Sequence, residues 1–259
     1  MVHQHQSRRL AGATFGALLA LLVALPAQAE VTQEFHKTVP LTANGHVSLD
    51  NINGNVEITG WERNEVQIDA VKKASTQEKL DNMRIEVNAG SSSVEIQTRF
   101  PEHGNNNNPG GVHYTLHVPQ NARIDKVNLV NGSLTVQKVT GEIDANLVNG
   151  KLQASDLAGE ADLATVNGSI DATYNSLNNV RGIKLKSVNG SVNLTLPQSP
   201  NADVDASVVN GSITTDFPLT VKGHFVGKSM SGTLGSGGVR IELTNVNGSI
   251  HIGPGRGSL

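Results

Sequence analysis

The chain has 259 residues, a formal net charge of −3, no cysteine, and only one Trp, two Tyr and five Phe. Without cysteine, a disulfide framework, a zinc–thiolate site, a thiol nucleophile and a lipid-modified N-terminal cysteine are all excluded. The weakly acidic balance argues against a nucleic-acid-binding protein, which normally carries a basic surplus. With 37% hydrophobic and 17% charged residues, the composition is also unlike that of a charge-driven disordered chain.

Residues 1–29 are typical of a secretory signal peptide. Arg8 and Arg9 precede an apolar run from Leu10 to Leu25, and the small residues of Ala27-Gln28-Ala29 predict cleavage after Ala29. The run is short and rich in Ala and Gly for a spanning helix, so an uncleaved anchor is only the alternative. Cleavage would change the net charge from −3 to −5, because two Arg and no acid are removed. We expect an exported protein with no transmembrane segment in its mature chain, most simply periplasmic, with the cell surface or secretion as alternatives.

Residues 30–125 predict an irregular β part with one short helix. Ser75 and Glu78 have the spacing of a capping box and predict a helix near residues 76–82. Alternating apolar residues predict strands at Arg84–Val87, Val94–Thr98 and Val112–Val118. The polar sequence PEHGNNNNPGG at 101–111 predicts a flexible loop.

Residues 126–252 contain a repeat of 16–22 residues centred on Asn-Gly pairs, with Ser231-Gly232 as one divergent copy. These pairs form the predicted turn ladder: Asn131, Gly132, Asn149, Gly150, Asn167, Gly168, Asn189, Gly190, Asn210, Gly211, Asn247 and Gly248. The residue before each corner is Val or Met: Val130, Val148, Val166, Val188, Val209, Met230 and Val246. The third residue after the corner is also aliphatic, and we predict that this position faces the core: Leu134, Leu152, Ile170, Val192, Ile213, Leu234 and Ile250.

The segments before the corners alternate apolar and polar residues, which is the pattern of half-buried strands. One position in this alternation is charged throughout and is predicted to face solvent: Lys126, Asp144, Asp162, Lys184, Asp205 and Glu242. Two architectures fit. Asn-Gly suits a two-residue hairpin turn in an antiparallel meander, and it also suits the corner of a β-solenoid. The recurrence of one residue type at one position favours the solenoid, because stacked Asn side chains can form an amide ladder.

The stretch YTLHVPQNARIDKVNLVNGSLTVQKVTGEIDANLVNG and the lead-in GWERNEVQIDAVKKASTQEKL resemble a bacterial putative-adhesin family of unknown function, built from toast-rack-like Asn-Gly repeats. The resemblance covers roughly residues 35–252. It implies a β-solenoid exported to the cell envelope or beyond, with no catalytic residue to transfer; envelope-stress signalling is a further role suggested by the resemblance alone. In that family an acidic residue often follows the glycine, but this chain has Asn-Gly-Ser at most of these positions. A metal-binding role of acidic residues at the corners is therefore not expected in this chain.

Two clusters could carry chemistry. His113 and His117 would share a helical face, but on a strand they lie about 13 Å apart, too far for one metal ion. Asp144 and Asp162 would lie about one strand spacing apart, close enough to act as paired carboxylates or to hold a cation such as calcium. A solvated outer face of alternating charge is the preferred interpretation of this row, and whether the pair binds a cation stays open.

The sequence thus predicts a single-domain, all-β solenoid with one short helix in its N-terminal half and a disordered tail at residues 253–259. We expect a non-enzymatic, adhesin-like binding or scaffolding module without cofactors, whose partner is a protein or glycan at the cell envelope and not a nucleic acid. The alternatives are a polysaccharide lyase or hydrolase that uses Asp144 and Asp162, or a partner in envelope-stress signalling.

Overall fold

Strands make up most of the chain because apolar residues, many of them β-branched, recur at every second position. The computed structural model describes residues 30–100, 110–219, 221–223 and 227–255. Within these ranges there are eighteen strands and one short helix. They are β1 (Val31–Pro40), β2 (His46–Asn53), β3 (Val56–Trp61), β4 (Glu65–Ala74), α1 (Gln77–Asp81), β5 (Arg84–Ala89), β6 (Ser93–Arg99), β7 (Gly111–Pro119), β8 (Arg123–Asn131), β9 (Leu134–Gln137), β10 (Ile143–Asn149), β11 (Leu152–Leu157), β12 (Ala161–Asn167), β13 (Ile170–Tyr174), β14 (Gly182–Leu196), β15 (Ala202–Thr215), β16 (Val221–Gly223), β17 (Lys228–Leu234) and β18 (Val239–Pro254).

The helix begins one residue later than the capping-box spacing predicts. The side chain of Thr76, not Ser75, is the N-cap and accepts a hydrogen bond from the backbone N–H of Lys79 at 3.3 Å. Leu80 is buried, and the ammonium of Lys72 donates to the backbone oxygen of Met83 at 2.8 Å. The short helix therefore packs over the end of β4.

Successive Asn-Gly segments lie side by side and run in the same direction. Asn149 lies opposite Asn131 on one side and opposite Asn167 on the other, and the flanking residues keep the same register. Because these neighbours are parallel, an antiparallel meander is wrong for this part of the chain. Each unit of strand, corner and strand is called a rung below.

The strands before the corners and those after the corners form separate runs of parallel pairs with the core between them. After the corner, Leu152 of β11 pairs with Leu134 of β9 and with Ile170 of β13. The aliphatic side chains predicted to face inward are buried in all six parallel rungs after residue 125: Leu134, Leu152, Ile170, Val192, Ile213 and Ile250. The all-β prediction and this inward assignment are confirmed. Among the described residues, the strands join into a single eighteen-stranded sheet.

The order of the rungs in space differs from their order in the chain. The last strand, β18, lies between β14 and β15 and pairs in parallel with both. The rung of β2 and β3 lies beside β8 and β9. Antiparallel pairs also occur: β1 with β4, β4 with β7, β5 with β6, and both β15 and β16 with β17. Because Lys228–Leu234 is antiparallel to β15, the segment around Ser231-Gly232 is not a further parallel rung.

A β-bulge shifts the strand register in the first regular rung. Asp125 occupies a position that is apolar in the other repeats, but the register shifts there and Ile124 pairs with Ile143 instead. Ile124 is fully buried and takes the inward place, whereas Asp125 faces solvent. The extra residue of the bulge keeps the hydrophobic face continuous.

The prediction that residues 253–259 are disordered is wrong for their first part. Gly253 and Pro254 continue β18, and the backbone N–H of Gly255 donates to the oxygen of Leu196 at 2.8 Å. Residues 256–259, the predicted signal peptide at 1–29 and most of the predicted loop (101–109) lie outside the described residues. No helix in the described part of the chain is long and apolar enough to span a bilayer.

Candidate functional site

The asparagine side chains at the corners are joined in a continuous row, the asparagine ladder. The amide nitrogen of Asn149 donates to Oδ1 of Asn131 at 2.8 Å, and Oδ1 of Asn149 accepts from the amide of Asn167 at 2.9 Å. In spatial order the ladder comprises Asn53, Asn131, Asn149, Asn167, Asn189, Asn247 and Asn210. Every hydrogen bond points the same way, so the ladder fixes the register of the rungs.

The glycine after each asparagine allows the rungs to approach closely. At Gly150 φ is +152°, and a β-carbon built there would lie 1.9 Å from the backbone oxygen of Gly132 in the adjacent rung. No corner asparagine has a positive φ among the described residues. The corner is therefore not the hairpin turn in which both central residues need positive φ.

An unbroken row of aliphatic side chains lies on the outside of the molecule beside the ladder. This valine stripe comprises, in spatial order, Ile52, Val130, Val148, Val166, Val188, Val246 and Val209. Val246 is half-buried and the other six side chains are between 39% and 47% exposed. Rows of exposed aliphatics of this length mark contact surfaces more often than isolated surface valines do.

The alternation of the sequence already contains the signal that this stripe is exposed. In the rung of Val166, the residues two and four positions before Asn167 are Thr165 and Leu163, and both are buried. A strand turns successive side chains to opposite faces, so the residue directly before the asparagine faces outward.

Two further outward rows run parallel to the stripe. The middle row comprises Asp50, Asn128, Asn146, Ala164, Lys186, Thr244 and Ser207. The charged row comprises Lys126, Asp144, Asp162, Lys184, Glu242 and Asp205, preceded by Ser48. All members of the stripe except Val209 and all members of the middle row except Ser207 line an open groove of about 700 Å³, with Thr98 and Arg99 at one end.

The charged row contains an ion pair at the position of the predicted carboxylate pair. Asp162 lies 3.1 Å from the ammonium of Lys184, and Asp144 accepts a hydrogen bond from the amide of Asn146 at 2.9 Å. Partial burial, and secondarily the nearby charge of Asp162, raise the pKa of Asp144. Among the described residues no group of three or more acidic or histidine side chains could hold a metal ion.

His113 and His117 have separate environments. Nδ1 of His113 accepts a hydrogen bond from the backbone N–H of Asn55 at 3.2 Å, and burial lowers the pKa of this histidine. The ring of His117 packs against the ring of Trp61 with a centroid distance of 5.2 Å. The guanidinium carbon of Arg63 lies over the Trp61 ring, 4.8 Å from its centroid. The structure therefore places the two histidines in different contacts along β7.

The family model of the Toastrack domain DUF4097 matches residues 38–253, which is most of the chain. The chain belongs to this family. Among curated protein sequences, none matches it significantly.

Solved structures similar to this Toastrack chain are distant in sequence. A putative cell adhesion protein from Clostridium sporogenes shares 17% identity with a TM-score of 0.53, over 87% of this chain and 100% of that one. A putative adhesin from Bacteroides fragilis shares 10% identity with a TM-score of 0.42, over 88% and 98% of the two chains. The likeness to the first structure shows the fold alone.

The described face of the Toastrack chain combines one aliphatic row with two polar rows. Its polar groups lie in long rows at the strand spacing, and Asp162 already has a cationic partner. The stripe and its two polar rows are the candidate functional site.

Proposed function

We propose that the protein is an exported, adhesin-like binding or scaffolding module of the cell envelope with no catalytic activity of its own. The observation that carries this proposal is the valine stripe, in which the described rungs all contribute an outward aliphatic side chain. An apolar centre bordered by polar rows is the general composition of protein contact surfaces. Export rests on the signal-peptide pattern of residues 1–29, and the partner we expect is a protein or glycan of the envelope.

We infer further that the parallel rungs after residue 125 are coils of a β-solenoid, capped on one side by the irregular part before it. The registered pairing of equivalent residues and the asparagine ladder support this. A solenoid presents long, flat rows of side chains, and these suit a contact spread over many residues.

A distributed contact predicts small effects from single changes in the charged row. Lys126→Ala, Lys184→Ala and Asp205→Ala should each weaken binding only a few-fold, because exposed charges contribute roughly 1 kcal/mol or less. Replacing Val130, Val148, Val166 and Val188 together by Ser should abolish binding while the fold persists. Cell fractionation with crosslinking and pull-down would identify the partner and measure its recovery for each variant.

A matched control places the same number of changes on the outer face beyond the corner, with Gln137, Gln153 and other exposed residues of those strands changed to Ser. Loss of partner capture with the control set, or its complete loss on changing one charged residue, would contradict the proposal. Capture that survives the fourfold valine change would contradict it as well.

A carbohydrate-active enzyme is the second candidate, and the raised pKa of Asp144 beside Asp162 favours it. Incubation with a panel of polyuronates should then release reducing or unsaturated ends, and Asp144→Asn should stop the release. The absence of products across the panel would eliminate this candidate.

A further inference from the structure

The valine stripe has a regular spacing that a binding partner would have to match. Parallel neighbours lie about 4.8 Å apart, so the seven members from Ile52 to Val209 extend over about 29 Å. An extended peptide laid along the stripe presents side chains on one face at about 6.6 Å intervals, which does not match. A second copy of this chain presents apolar side chains at the same spacing.

The geometry points to a two-fold symmetric dimer in which the stripes of two copies of this chain pack against each other in opposite order. This inference rests on the proposed function, because it concerns the same contact face: a second copy would occupy the stripe, and an envelope partner would compete with it for that face. A two-fold interface is self-complementary: if residue i of one copy contacts residue j of the other, then residue j of the first copy contacts residue i of the second. All seven members can overlap only when the axis passes through the middle member, Val166.

That axis sets the pairing of the middle row without any further choice. Ala164 lies on the axis and meets its own copy, and its small side chain allows the two sheets to approach. Asn146 faces Lys186 of the second copy, and Asn128 faces Thr244 of the second copy. Asp50 faces Ser207 of the second copy, so no like charges meet in this row.

The same axis brings opposite charges together in the charged row. Lys126 faces Glu242 of the second copy, and Asp144 faces Lys184 of the second copy, each twice by symmetry. Asp162 meets its own copy on the axis, but each of these carboxylates is 3.1 Å from Lys184 of its own chain. Complementary charge at the border of an apolar row fixes the register of an interface.

The size of the face suits a stable dimer. Seven strands at about 4.8 Å and six residues at about 3.3 Å give a face of about 34 Å by 20 Å. This approaches the roughly 800 Å² per partner of a standard protein–protein interface. The apolar stripe alone is too narrow for that area, so the polar rows must take part.

The first test is the oligomeric state of the protein, expressed from its full sequence and measured by sedimentation equilibrium. We expect a dimer, and Val148→Asp should raise its dissociation constant more than about a hundredfold, since an unpaired charge would enter the apolar row. Gln153→Asp is the matched control, because it adds the same charge to an exposed position on the same rung. Both variants should keep the β-type circular dichroism spectrum.

The second test uses a charge exchange that a structural role cannot imitate. Lys126 and Glu242 are four rungs apart, about 19 Å, so they do not interact within one chain. Lys126→Glu and Glu242→Lys should each weaken the dimer roughly tenfold, and the double variant should restore most of the affinity. Additive losses in the double variant would overturn the proposed axis.

The outcomes also separate this proposal from the proposed function. A chain that stays monomeric up to roughly 1 mM overturns the dimer, even if it captures an envelope partner through the stripe. Binding of lipid vesicles by a monomeric chain in a stripe-dependent manner overturns it equally. A dimer dispersed by Val148→Asp with no envelope partner leaves the dimer standing and contradicts the partner-binding function.

Discussion

Ile170 shows how much a single core side chain contributes. It lies in β13 with no exposed surface, and its neighbours Leu152 and Val192 occupy the same position in the adjacent strands. Ile170→Ala should lower the free energy of unfolding by about 2–4 kcal/mol, because it leaves a cavity in the stack. Gln153→Ala, at an exposed position, should change it by less than about 0.5 kcal/mol. Urea denaturation measures both, and equal effects would refute the inward assignment of Ile170.

The asparagine ladder can be tested by comparing one inner and one terminal member. Asn149 donates one ladder hydrogen bond and accepts another, whereas Asn210, among the described residues, only donates one, to Asn247 at 3.0 Å. Asn149→Ala should cost about 1–2 kcal/mol and Asn210→Ala about half as much, since a net hydrogen bond contributes about 0.5–1.5 kcal/mol. Thermal unfolding gives the comparison. A larger loss at Asn210 than at Asn149 would show that the ladder does not stabilise the rungs.

His36 makes the attachment of β1 depend on pH. Nδ1 of His36 lies 2.7 Å from Asp69 of β4, and this contact, with Glu34 second, raises the pKa of His36. The same contact lowers the pKa of Asp69. The stabilisation from His36 is therefore complete below its unfolded pKa of about 6.5 and is lost as the pH rises through the higher folded value. The stabilisation from Asp69 is lost as the pH falls through its lowered value.

We accordingly expect amide hydrogen exchange in β1, corrected for its intrinsic pH dependence, to show less protection above the folded pKa of His36. His36→Gln should remove this step, while leaving protection in the distant β11 unchanged. NMR titration of the imidazole should give a pKa above about 6.5. A normal or lowered value would contradict the pairing with Asp69.

At the scale of the elements, the corner requires glycine because of contact between rungs. A β-carbon at Gly150 would meet the carbonyl oxygen of Gly132 at 1.9 Å, whereas Gly238 has a positive φ of +127° with nothing within 4 Å. Gly150→Ala should cost about 3 kcal/mol or more, and Gly238→Ala should show only the backbone strain of about 1–2 kcal/mol. Denaturant midpoints measure the difference. Equal losses would mean that strain in φ, and not contact between rungs, selects glycine.

Local features of these elements could be predicted from the sequence because neighbouring residues decide them. Alternation around Leu152 and Ile170 predicts strands, and the Asn-Gly pairs predict the corners. The bulge at Asp125 could not be predicted in this way, because only its pairing with β10 shows that Ile124 fills the inward place. The outward stripe could have been predicted, since alternation alone places Val166 opposite Thr165.

At the scale of the whole molecule, the order of the rungs depends on contacts that are distant in sequence. β18 lies between β14 and β15, so Asn247 pairs with Asn189 and Asn210 although 58 and 37 residues separate them. All three rungs carry the same Asn-Gly-Ser corner, so the repeat gives no local signal for which one is central. The order of the side chains along the charged row and along the stripe follows the order of the rungs. This order could therefore not be predicted from the sequence either.

The central position of β18 predicts that the C-terminal strand is required for the fold around it. Removing residues 239–259 leaves β14 and β15 without their shared neighbour and deletes five buried aliphatic side chains, Val239, Ile241, Leu243, Ile250 and Ile252. At about 2–3 kcal/mol each, their loss is comparable with the entire stability of a domain, about 5–15 kcal/mol. Calorimetry should therefore show no cooperative transition for residues 190–238 of the truncated chain, with proteolysis beginning there. Removing only residues 256–259 is the control and should leave the transition in place; a sharp transition with intact β15 after the longer deletion would show that β18 is dispensable.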